Sequence, residues 1–69
     1  MSADLLALAL ENVGFDVGRE FDMLRSAVDY RARPAVDLGQ ITESTAQRLI
    51  TVLSRAAAAG IVLQPDGGA

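Results

Sequence analysis

The sequence predicts an all-α fold, a small three-helix bundle, with a minor two-strand contact near the C-terminus. Three observations support this prediction. Apolar residues recur at helical spacing in three segments, each segment has residues that suit helix ends, and Gly or Pro separates the segments. We expect one helical domain over 1–63, with helices at about 3–13, 17–32 and 43–59, and a flexible tail over 64–69.

The first segment, SADLLALALENV, is rich in strong helix formers and begins with Ser2, which can cap the first backbone N–H groups. Gly14 can adopt the left-handed conformation that ends a helix. Apolar residues occupy nearly the whole surface of this helix, so it must be covered on more than one side. We interpret them as a candidate partner-binding surface, formed by Leu5, Leu6, Leu8, Leu10 and Val13. The alternative is a central helix covered by helices 2 and 3 and by Val36, Leu38 and Ile61.

The second predicted helix depends on Phe21, Leu24 and Val28, which are spaced i, i+3, i+7 after a candidate N-cap at Asp16. Pro34 disfavours the helical conformation at the residue before it, so this helix should end near residue 32. The linker that follows, PAVDLGQIT, is apolar enough to pack onto the domain. Its residues 36–38 are predicted to form the two-strand contact with residues 61–63.

The third segment, TESTAQRLITVLSRAAAAG, starts with Thr42 or Ser44 as an N-cap and ends with Gly60 at the C′ position. One face of this helix is apolar and should be buried. It consists of Ala46, Leu49, Ile50, Leu53, Ala57 and Gly60.

The composition excludes several kinds of chemistry. The 69 residues include no Cys and no His, and all six basic residues are arginine. General acid–base and nucleophilic catalysis therefore lack their commonest groups, and the usual zinc ligands are absent. The carboxylates lie among arginines on predicted solvated faces. We expect no enzyme activity, no cofactor and no metal site.

Charge and hydropathy bound the partners and the location. The net charge of −3 disfavours binding to nucleic acid and to anionic membranes. The N-terminus lacks the basic region of a signal peptide, and the apolar run 5–10 is shorter than the roughly 18 residues of a membrane span. We expect a cytoplasmic protein without a membrane partner. The exclusive use of arginine indicates a GC-rich bacterial or phage genome.

Residues 44–62, STAQRLITVLSRAAAAGIV, resemble the recognition helix and following strand of winged helix-turn-helix DNA-binding domains. The resemblance covers about a third of the chain and lies in the Ser-Thr-x-x-Arg-Leu start and the small-residue run before Gly60. It implies phosphate contacts from one polar face, made by Ser44, Arg48, Thr51 and Arg55. The chain departs from the family pattern, because residues 34–42 are too few for the preceding helix and turn. Too few residues also follow Leu63 for the second strand of a wing.

The excess of apolar surface favours a small non-enzymatic protein–protein interaction protein. It would be a homo-oligomer, or an accessory subunit that docks through helix 1 and the Leu49/Leu53 face. Two alternatives stay open. One is a truncated winged-helix-like DNA-binding regulator, whose two arginines would give weak, salt-sensitive affinity. The other is an inhibitor or antitoxin-like protein that blocks a protein partner.

Overall fold

The structure is a computed structural model that describes residues 2–65, with side chains for residues 3–65. Its elements are α1 (Ser2–Asn12), α2 (Val17–Glu20), β1 (Arg25–Val28), β2 (Pro34–Asp37) and α3 (Glu43–Ala58). The bounds of α1 and α3 lie within one residue of the first and third predicted helices. The all-α three-helix prediction is wrong, because an antiparallel hairpin replaces most of the second helix. The predicted tail is described only at residues 64 and 65, which have no regular secondary structure.

Both long helices end at a glycine in the same way. Gly14 has φ 106° and its N–H donates to the Glu11 carbonyl, while the Phe15 N–H donates to the Leu10 carbonyl. Gly60 has φ 81° and its N–H donates to the Ala57 carbonyl, while the Ile61 N–H donates to the Ala56 carbonyl. This pair of bonds is the Schellman motif, which satisfies carbonyls at the helix end. After α1 the motif also turns Phe15 inward, where it packs with Leu10 in the core.

The predicted second helix is wrong beyond its first turn. Helix α2 is a single turn of four residues, and its C-cap Phe21 has φ −133° and ψ 47°, outside the helical region. Phe21 and Leu24 still reach the core, but Val28 lies on β1 and is 68% exposed. Although these three residues have helical spacing in the sequence, they do not lie on one buried face of a helix.

The hairpin turn explains why the chain leaves the helical conformation. The Ala32 N–H donates to the Asp29 carbonyl and the Asp29 N–H donates to the Arg33 carbonyl, which closes a three-residue loop. The Asp29 carboxylate accepts from the N–H groups of Arg31 and Arg33 at 2.8 and 3.0 Å. Asp is favoured at the first position of such a turn because its side chain satisfies these donors. Ala32 takes the left-handed position with φ 59°, where glycine is usual.

The two strands pair with Ser26 opposite Val36 and with Arg25 opposite Asp37, whose side chains form a salt bridge of 3.4 Å. The predicted contact between residues 36–38 and 61–63 is therefore wrong: Val36 pairs within the hairpin. Residues 61–65 follow α3 without regular structure. Proline at the first position of β2 is compatible with a strand start, where no ladder N–H is needed.

The core is small and lies between α1, α2 and α3. It consists of Leu10, Phe15 and Phe21, against which partly buried side chains pack: Leu6, Val17, Leu24, Ile41, Leu49 and Val52. Helix α1 packs on α2 and on both strands, whereas α3 meets the rest of the chain mainly through its N-terminal half. The radius of gyration is 13.7 Å, compared with about 11 Å for a compact domain of this length. The fold is thus open, and α3 keeps a large free surface.

Candidate functional site

Many large apolar side chains are exposed among the described residues. Four hydrophobic residues are buried, whereas twelve large ones are at least half exposed. Surface apolar residues are normal singly, but contiguous sets mark binding surfaces. The candidate functional site is therefore an apolar docking surface on the helices, and not a polar cleft.

The five predicted partner-binding residues of α1 divide into two groups. Leu10 is buried in the core and Leu6 packs partly against it. The exposed fractions of Leu5, Leu8 and Val13 are 70%, 54% and 53%. Leu38 and Ile61, which would have covered α1 as a central helix, are themselves at least half exposed. Of these five residues, only Leu5, Leu8 and Val13 are thus available to a partner.

On α3 the boundary between core and surface falls between neighbouring residues. Leu49 and Val52 pack on the core cluster, whereas Ile50 and Leu53 are 53% and 59% exposed. The predicted Leu49/Leu53 face is therefore divided: Leu49 belongs to the intramolecular core and Leu53 to the free surface.

A polar junction fixes α3 to α2. The Glu20 carboxylate accepts from the backbone N–H of Asp16 at 2.8 Å, from the Thr45 hydroxyl at 3.4 Å and from the Arg48 guanidinium. Thr45 is 3% exposed, and its N–H donates to the hydroxyl of Thr42, the N-cap of α3. The sequence gives no signal for this junction, because Glu20 and Arg48 are 28 residues apart in the chain and show no local pattern.

Arg48 has a structural position in this junction. Its guanidinium also donates to the Gly14 carbonyl at 3.1 Å and lies 5.1 Å from the centre of the Phe15 ring. The Thr51 hydroxyl donates to the Gln47 carbonyl of its own helix. Of the four residues implied as phosphate contacts, Ser44 and Arg55 are exposed on α3 and have no such engagement among the described residues. The structure therefore does not bring the two arginines together as a free basic patch.

A shallow pocket of about 190 Å³ lies beside the junction. Its lining is mostly apolar and comprises Val13, Phe15, Arg48, Thr51 and Val52. The only charged residue in this lining, Arg48, is already paired with Glu20, which leaves little specific chemistry to bind a small ligand. We therefore interpret the pocket as a shallow depression in the apolar surface.

Comparison with protein-family models, with curated proteins and with solved structures gives no match for this chain. Its function must therefore be argued from its own residues. None of the helices within residues 2–65 has both the length and the apolar content needed to cross a membrane. The same residues contain no cluster of three or more side chains placed to hold a metal ion.

Unfolding should become easier in acid because of two carboxylates. The backbone N–H of Asp16, more than Arg48 or Thr45, holds the pKa of Glu20 below its usual range, against the opposing effect of burial. Backbone donation from Arg33 likewise lowers the pKa of Asp29. A lowered folded-state pKa gives stability that is present above the unfolded pKa and is lost as the pH falls through the folded pKa. We expect the urea concentration at the midpoint of unfolding to decrease as the pH is lowered from about 5 through the folded-state pKa values of Glu20 and Asp29.

The variant Glu20→Gln should flatten this pH dependence, and its stability at pH 7 should be lower than that of the parent chain. Glu11→Gln removes one carboxylate from the exposed surface of α1 without touching the junction and is the matched control. Urea unfolding followed by circular dichroism at several pH values measures both. If both variants flattened the pH dependence of stability equally, that pH dependence could not be attributed to Glu20.

Proposed function

We propose that this chain is a small, non-enzymatic protein–protein interaction protein that acts in the cytoplasm and docks through apolar helix faces. The observation that supports the proposal is that twelve large apolar side chains are at least half exposed in the described part of the chain, whereas three large ones, Leu10, Phe15 and Phe21, are buried. A chain of this size obtains little stability from its own core, and covering such a surface would stabilise it further. The occupant is either a second copy or a larger protein to which this chain is an accessory.

Two outward surfaces are available, and each can be changed without touching the core. One is on α1, with Leu5 and Leu8, and the other is on α3, with Ile50 and Leu53. Because these side chains are already half exposed or more, aspartate in their place costs little folding stability but makes docking unfavourable.

The test compares Leu5→Asp/Leu8→Asp and Ile50→Asp/Leu53→Asp with the parent chain and with Tyr30→Asp, an exposed position on the hairpin turn. The mass of the parent chain and of each variant is measured by light scattering at high concentration, and each protein is also used for affinity capture from the native host. We expect a stoichiometric protein complex, with itself or another chain, that one face variant loses and Tyr30→Asp keeps. The proposal fails if the parent chain forms no such complex, or if every variant retains it while folded.

A further inference from the structure

Helix α3 has two parallel rows of mostly apolar residues that are offset by one residue. The inner row faces the core, and Thr45 within it is 3% exposed. The outer row lies about 100° further round the helix, because each residue advances by that angle. The inner row is Thr45, Leu49, Val52 and Ala56, and the outer row is Ala46, Ile50, Leu53 and Ala57. The inner row is buried or half-buried, whereas Ile50, Leu53 and Ala57 of the outer row are exposed and Ala46 is half-buried.

The spacing of the outer row is that of a helix-pairing seam. Its members are four, three and four residues apart, the alternation that keeps apolar side chains facing a partner helix. The residues beside it on the side away from the core are Glu43, Gln47 and Ser54, of which only Glu43 is charged. Glu43 is at the N-terminal end of α3, so in an antiparallel pair the Glu43 residues of the two copies lie at opposite ends of the seam. Arg48 and Arg55 lie on nearly the opposite face of the helix. No like charges would therefore meet across a pair of these seams.

The order of side-chain sizes indicates what the partner is. Along the outer row the order is small, large, large, small, so it is the same in either direction. A two-fold interface requires a self-complementary surface, and this row meets that requirement in an antiparallel pair. Ile50 then packs against Leu53 of the second copy, and Ala46 against Ala57 of the second copy. Antiparallel helices also oppose their dipoles favourably.

The chain as a whole exposes more surface than a compact monomer of its mass would. A compact monomer of 7.2 kDa is expected to expose about 4,100 Å², whereas this chain exposes 5652 Å². This excess of about 1,500 Å² belongs to the whole chain, and pairing with a second copy through α3 would cover part of it. We propose that the outer row of α3 docks on α3 of a second copy of this chain in an antiparallel, two-fold dimer. The inference deepens the proposed function and depends on it.

The first test is the mass in solution, measured by light scattering across a concentration series. We expect twice the chain mass of 7.2 kDa for the parent chain. Ile50→Asp or Leu53→Asp should weaken association by at least about tenfold, since a central apolar side chain of an interface is lost. Thr51→Asp introduces the same group at the same height on another face of α3 and should leave the mass unchanged. Circular dichroism shows that each variant remains folded.

The second test determines the orientation and uses the absence of cysteine from the chain. Ala46→Cys and Ala57→Cys are made separately, mixed and oxidised. The antiparallel dimer gives a crosslink between the two variants and little within either one alone. Self-crosslinking of each variant alone would show a parallel pair and overturn the arrangement.

The two proposals fail in different ways. A monomeric parent chain at about millimolar concentration overturns the second copy as partner, but leaves the proposed function to the capture experiment. A dimer that survives both aspartate variants overturns the α3 seam while supporting self-association through another face. Loss of the dimer in Thr51→Asp as readily as in Leu53→Asp would also count against the seam.

Discussion

Replacing Phe21 with alanine should leave most of the chain unfolded at 25 °C. Phe21 is 3% exposed and packs edge-to-face on Phe15, with ring centres 5.3 Å apart. Truncating a buried phenylalanine costs about 3–5 kcal/mol. A single core in a chain of this length rarely supplies more than roughly 3–5 kcal/mol, so the loss is as large as the whole stability or larger. Urea unfolding followed at 222 nm measures the loss, and Phe21→Leu gives a smaller change that keeps the transition visible.

Tyr30→Ala is the matched control for Phe21→Ala. Tyr30 is 86% exposed at the hairpin turn, where its ring lies 5.2 Å from the Arg31 guanidinium. Removing an exposed aromatic ring should change stability by less than about 0.5 kcal/mol. Similar losses at the two positions would mean that Phe21 does not belong to the core that holds the helices together.

The second large effect is expected for Gly39→Ala, which should destabilise the chain by about 3 kcal/mol. Gly39 has φ 71°, a left-handed conformation that costs other residues about 1 kcal/mol or more. A Cβ placed there would also lie 2.3 Å from the Cβ of Met23. Neither Cβ can move by side-chain rotation, so the backbone must shift, and overpacking of this kind costs about 1–3 kcal/mol.

Gly60→Ala separates the two contributions to the effect at Gly39. Gly60 has φ 81°, but a Cβ there meets nothing within 4 Å. The stability that Gly60→Ala loses should be only the conformational cost of the left-handed backbone, about 1 kcal/mol. A double-mutant cycle with Met23→Gly should recover most of the steric part. Equal losses for Gly39→Ala and Gly60→Ala, measured by urea unfolding, would show that the contact with Met23 does not matter.

Local signals were enough to predict the two long helices. Helix propensity, the Thr42 cap and the glycines at 14 and 60 each act within about four residues of the helix end. The turn at Asp29 is equally local but was missed. Its left-handed position holds Ala32 in place of the glycine that usually marks such a turn, and the apolar spacing of Phe21, Leu24 and Val28 imitated a helix.

The candidate docking surface was only partly predictable. The sequence shows an excess of apolar residues on helices 1 and 3, which indicates binding. It does not show which residues on each helix the chain itself covers. Leu49 and Ile50 are adjacent and chemically similar, yet one is part of the packing on the core and the other is half exposed.

The sequence by itself determined where α1 and α3 begin and end, and it shows that the chain has no cysteine or histidine chemistry. Only the tertiary structure decided that residues 25–37 form a hairpin, that Glu20 engages Arg48, and that Ile50 and Leu53 stay exposed on α3. The physical reason is the distance along the sequence over which each interaction acts. Helix caps and propensities depend on neighbouring residues, whereas burial and ion pairing depend on which distant segments pack together.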